Sequence, residues 1–183
     1  MDNFTVITKE IAKEYFLDLN SLPVVDWVKA LLMRDVTEDA VFRLKVISGC
    51  ESPIEQALAL AIYDIGIINF NILFGPDLEL EEYNTQKEIA VDGKIYRADI
   101  YIQLRLYQQE DYKIVIECDG HDYHEKTKEQ VKMNNKRERA LKSAGYEVLR
   151  FSGSEIYENP YRCASEISQN IIGKYVRGQS NGK

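Results

Sequence analysis

Acidic residues where a strand should be apolar are the first sign of chemistry in this chain. Asp99 interrupts the run Ala98-Asp-Ile-Tyr-Ile102, and Glu117 and Asp119 close the run Ile114-Val-Ile-Glu-Cys-Asp119. On an extended chain, residues two apart share a face, so Glu117 and Asp119 project together while Cys118 points away. A carboxylate at the end of a buried strand is costly unless it is paired or bound to a cation. If the strand with Asp99 lies beside the strand with Glu117, the two groups sit about 4–5 Å apart. Their repulsion is then on the order of 3–4 kcal/mol at an effective dielectric of about 20. A proton, a divalent cation, or a basic neighbour such as Arg97, Lys113 or Arg150 would relieve it. Oxygen-only donors of this kind suit Mg2+, with Mn2+ as a substitute.

Both histidines of the chain lie just beyond, in Gly120-His-Asp-Tyr-His124. An imidazole with a pKa of about 6.5, next to such a site, is able to pass a proton at neutral pH. His124 is preferred to His121 for that role. A basic segment follows, with seven Lys and Arg against three Glu between Glu125 and Lys142. Lys128, Lys132 and Lys136 recur every four residues and form one stripe that fits a phosphate backbone, flanked by Arg137 and Arg139. The same spacing also suits a solvated helix face held by i,i+4 pairs. Arg150, further on, is placed either to buttress the acids or to meet a phosphate.

The elements that must position these groups are legible in outline. Ile11, Tyr15, Phe16 and Leu19, then Val25, Val28, Leu31 and Leu32 after Pro23, recur at helical spacing, and a third helical segment covers about 38–47. Ser52-Pro53-Ile54-Glu55 opens the strongest helix, with Ser as N-cap, Pro in the first turn and Glu three residues after Ser. Its buried stripe is Ile54, Ala57, Leu58, Ala61, Ile62 and Ile65, with Glu55 beside it. Thr85 to Val91 and Lys94 to Leu104 read as strands around the hairpin turn Asp92-Gly93. Tyr112 to Cys118 reads as a third strand, about 126–144 as a helix ending before Gly145, and Tyr146 to Phe151 as a fourth strand. A closing helix starts at Ser154 or at Asn159-Pro160 and runs to about Tyr175. A strand, helix, strand connection implies a parallel pair, so the core is α/β with a mixed sheet. The expected organisation is a helical extension over 1–49, an α/β domain over 50–176 and a flexible tail over 177–183.

Composition narrows the function classes. The chain has 183 residues, 45% of them apolar and 29% charged, enough for one well-buried core and ordinary for a globular protein. No apolar run approaches the ~20 residues of a membrane span, and Met-Asp-Asn-Phe-Thr does not begin a secretory signal. A cytoplasmic protein without membrane contact is expected. Three cysteines with no CxxC pair argue against a disulfide framework or a zinc ribbon. No GxxxxGK[ST] loop is present, which removes the P-loop NTPases. A net charge of −7 disfavours a general nucleic-acid binder but leaves room for a local basic groove.

Taken in order, Cys50-Glu-Ser-Pro-Ile-Glu55, Tyr96-Arg-Ala-Asp99, Ile114 through His124, Asn135-Lys-Arg137 and Gly145 through Ile156 resemble the PD-(D/E)XK nuclease superfamily. The likeness is to the branch related to the very-short-patch repair endonucleases, over about residues 50–172. It implies a restriction-endonuclease-like three-layer core, a central mixed sheet flanked by helices, that hydrolyses phosphodiester bonds in DNA. By the same resemblance Asp99 and Glu117 would hold Mg2+, helped by the Cys118 carbonyl and Asp119, and Glu55 would complete the shell, with Glu51 a weaker candidate. Lys128, Lys132, Lys136, Arg137 and Arg150 would meet DNA. The superfamily usually has Lys two residues after the second acid; here Asp119 stands there, which leaves the lysine's role to His124 or Lys128. Repair, restriction and mobile-element roles all fit, and cutting both strands would call for two sites, as in a homodimer. Two other readings stay open: a nuclease fold that no longer cuts and serves DNA binding or protein docking, and a metal-dependent hydrolase of another phosphate ester.

Overall fold

The computed structural model describes residues 43, 46–66, 78–106, 111–120 and 127–180. The chain divides into two compact units, Met1–Ser48 and Gly49–Lys183. The helices expected across residues 11–32 lie outside the described residues; Arg43 and residues 46–48 are helical. No helix among the described residues is long and apolar enough to cross a membrane.

Among the described residues of the second unit the strands form one four-stranded sheet in the order β1-β2-β3-β4. Helix α1 (Pro53–Asp64) starts at Ser52, whose side chain accepts from the Glu55 N–H. Strands β1 (Leu78–Val91) and β2 (Lys94–Leu106) form a long antiparallel hairpin. Its turn residues Asp92 and Gly93 have φ of 50° and 72°, the left-handed pair of a type I′ turn, whose twist matches that of the strands. β1 begins seven residues before the expected Thr85. Leu78 is buried while Glu79 is exposed, and Glu79 lies opposite Arg105 in the ladder. Arg105 bonds Glu79 at 3.0 Å and Glu81 at 2.5 Å, so the acidic stretch 78–82 is a strand with a cross-strand cationic partner.

β3 (Tyr112–Asp119) pairs antiparallel with β2 and parallel with β4 (Tyr146–Ser152). Between them runs α2 (Lys128–Ser143), capped reciprocally by Thr127 and Gln130. Gly145 follows it at φ 86°, the conformation that ends helices and favours glycine. The closing segment is two helices, α3 (Gly153–Glu158) and α4 (Pro160–Ser180). α4 passes the expected end at Tyr175 and runs to Ser180, and the basic side chain of Arg177 in its last turn suits the helix dipole.

α2 covers one face of the sheet: Leu141 is buried with Tyr101, Val115, Val148, Ile89 and Val91. Ile100, Ile102, Leu104, Ile114 and Ile116 alternate to the other face and are fully buried. That side belongs to α1, which packs on α4, α3 and β2. The result is an α/β fold, a mixed sheet flanked by helices.

Candidate active site

The ladder between β2 and β3 pairs Ile100 with Ile116 and Tyr101 with Val115. One step further along the same register sets Asp99 opposite Glu117, on the face shared with Tyr101 and Val115. Glu117 is only 6% exposed. Asp99 Oδ2 accepts the backbone N–H of Cys118 at 2.7 Å, which ties the acid of β2 to the strand carrying its partner. Glu117 Oε1 accepts from Arg137 Nη2 at 2.7 Å, and the same nitrogen also donates to the carbonyl of Arg97. Arg137 lies one helical turn before the buried Leu141, so α2 turns it toward the sheet.

Burial sets the electrostatics. It pushes the Glu117 carboxyl from an ordinary 4.5 up to about 7; Arg137 pulls against that rise and Asp99 adds to it. Burial also raises Asp99, opposed first by the hydrogen bond from Cys118, while Glu55 adds to the rise and Arg137 and Arg97 reduce it. The flanking thiols are raised mainly by burial too, Cys50 up to about 12 and Cys118 strongly upward, so both stay protonated and are inert by that measure.

The remaining acids are each matched. Asp119 lies 3.5 Å from Arg150 Nε, which places Arg150 as a buttress at the end of β3. Gly153 adjoins this end: a Cβ there would stand 3.2 Å from the Asp119 carbonyl oxygen. Glu51 takes both arms of Arg97, at 2.8 and 2.7 Å. Glu55 sits within the buried stripe of α1, with Leu58, Ala59 and Ile62, and is 7% exposed. Its carboxylate does not complete the expected reciprocal cap. It accepts from Ser52 Oγ at 2.7 Å, the Glu51 N–H at 2.9 Å and Gln86 Nε2 at 2.7 Å.

Among the described residues, no three of His, Cys, Asp and Glu form a metal cluster. Mg2+, however, is commonly held by one or two carboxylates with water and phosphate filling the rest. Asp99 and Glu117 each give one oxygen to the protein and carry a second, so the pair fits that habit. The buried Nε of Arg137 has no hydrogen-bond partner among the described residues, and an anion oxygen would satisfy it. Lys128, Lys132 and Lys136 are exposed along α2. His121 and His124 lie outside the described residues.

The REase_MTES_1575 family model, a restriction endonuclease-like family, matches residues 74–171, more than half of the chain. The chain belongs to this family. No curated protein and no solved structure matches it significantly. The matched segment of this restriction endonuclease-like chain contains Asp99, Glu117, Asp119, Arg137 and Arg150, whereas Glu51 and Glu55 precede it.

Arg137, expected at the DNA backbone, sits on Glu117, because its spacing from Ala140, Leu141 and Ala144, the apolar side of α2, turns it inward. Gln86, which meets Glu55, is marked by no motif in the sequence. Counting both arms back from the Asp92-Gly93 turn sets residue 86 across from Asp99, and that count was the available signal.

Proposed function

We propose that the chain is a divalent-cation-dependent endonuclease that hydrolyses phosphodiester bonds in DNA and resembles the branch related to the very-short-patch repair endonucleases. What supports this is the pair of register-matched acids, the half-buried Asp99 and the buried Glu117, in a restriction endonuclease-like family member, with a cationic group already drawn onto Glu117. Mg2+ or Mn2+ would be held by Asp99, Glu117 and the Cys118 carbonyl, with Asp119 and Glu55 at the margin. Bound there, such an ion supplies positive charge against phosphate oxygens and acidifies water.

The chain's own residues have distinct parts in this reading. Asp99 stays anchored to β3 through Cys118 N–H. Arg137 neutralises Glu117 and offers its buried Nε to a phosphate oxygen, the charge-assisted contact that guanidinium makes well. Arg150 fixes Asp119, the residue in the usual lysine position. Lys128, Lys132 and Lys136 would follow the DNA backbone from the exposed face of α2, and His124 would carry the proton.

Plasmid nicking with Mg2+ or Mn2+ tests the reading. The wild type should cut only with the cation, and Asp99→Ala and Glu117→Ala should each lose at least about 100-fold, the scale of a lost transition-state charge contact. Cutting that survives either substitution would overturn the assignment. A second reading, a nuclease fold retained for DNA binding or docking, draws on the Glu117–Arg137 and Asp119–Arg150 pairs, which compensate the acids without any ion. Absence of Mn2+ binding in isothermal titration, together with no DNA shift at low salt, would favour docking.

A further inference from the structure

Gln86 combines three features that ordinary strand residues do not share. It lies within β1 at φ 55°, a left-handed conformation that is uncommon for a residue with a Cβ and strained within a strand. The ladder pairs Thr85 with Ile100 and Lys87 with Ala98 on either side of it, so it stands across from Asp99. Its Nε2 donates to Glu55 Oε2 at 2.7 Å, while its Oε1 is buried without a hydrogen-bond partner among the described residues. The carboxylate of Glu55 only accepts, so the amide orientation is fixed by its partner. The approach is close: a Cβ on Gly49 would meet Thr85 Oγ1 at 2.1 Å, so the chain entering α1 lies directly against β1 here. Strained backbone held this way is a feature of functional sites, because the fold must over-determine it.

We propose that Gln86 is a positioning residue of the acidic site, holding the Glu55 carboxylate through Nε2 and offering Oε1 as a neutral acceptor to water around a divalent cation. The inference rests on the cation-dependent reading of the preceding subsection. It assigns the left-handed backbone at residue 86 a purpose: it is the conformation that turns the amide away from the regular strand direction toward Glu55.

The role separates from a structural one because glycine is at ease at this φ. Gln86→Gly removes the amide while suiting the backbone, so urea unfolding should give an unchanged or higher midpoint. Isothermal titration with MnCl2 at pH 7.5 should nevertheless show at least about five-fold weaker binding than wild type. Gln86→Asn, which tolerates left-handed φ but is one carbon short, should fold and lose affinity similarly. Wild-type affinity in either folded variant would overturn the role of Gln86 while leaving the cation site intact. A wild-type protein that binds no Mn2+ would overturn the cation reading and this inference together.

Discussion

Replacing Glu117 with glutamine should change how stability depends on pH, and the size of the change follows from the site. In the folded protein the Glu117 carboxyl titrates at about 7 rather than 4.5, chiefly because it is buried. Between those values the folded state holds a proton that the unfolded chain has released, so stability falls as pH rises. The loss begins near the unfolded value and is complete above about 7. Its magnitude is on the order of 3 kcal/mol. Glutamine occupies the same volume and titrates nothing, so the variant escapes that loss. The pull of Arg137 on the ionised carboxylate is already contained in the value of about 7, so losing that charge-assisted bond adds no further pH dependence.

The quantity to measure is the difference in unfolding free energy between Glu117→Gln and wild type, from urea titrations followed by circular dichroism in EDTA. From pH 4 to pH 8 the difference should move by about 3 kcal/mol in favour of the variant. A flat difference, or a variant that loses ground at pH 8, would mean that Arg137 keeps Glu117 ionised throughout and that burial does not dominate. Adding Mn2+ at 100 times its dissociation constant should then stabilise the wild type at pH 8 by about 2.7 kcal/mol and leave the variant unmoved.

Other perturbations address single parts. Arg137→Ala strips Glu117 of its counter-charge and should cost about 2 kcal/mol at pH 8, with a smaller cost at pH 5 where the carboxyl is protonated; urea midpoints at the two values decide it. Asp99→Asn keeps an acceptor for the Cys118 N–H, so it should fold with a near-normal melting temperature yet lose Mn2+ binding by titration calorimetry. Gly93→Ala places a Cβ at φ 72° and should cost about 1 kcal/mol in thermal unfolding, with Mn2+ affinity unchanged.

Local signals carried the fold a long way. Asp92-Gly93 dictated its own turn type, and Gly145 set the end of α2. The acidic stretch before Thr85 was misleading because its partner, Arg105, is 26 residues away from Glu79, and no local pattern announces a cross-strand ion pair. Glu55 shows the same limit. Its place after Ser52-Pro53 reads as a cap, while its actual partners include Gln86, which is 31 residues distant. The acids themselves were visible as charges inside apolar runs. What each of them faces depends on strand register across the loop between β2 and β3 and on the rotation of α2, which are properties of the assembled sheet rather than of any segment.

The long first strand also bears on how such a molecule meets a duplex. Among the described residues β1 forms one border of the sheet and carries Glu79, Glu81, Glu82 and Glu88. A second copy attempting to extend the sheet along that border would meet a row of charged side chains, Lys87 among them, of the kind that guards open strands from self-association. Dimerisation through strand addition is therefore disfavoured on this side, and severing both strands of a helix would require either two successive visits or an association through another surface.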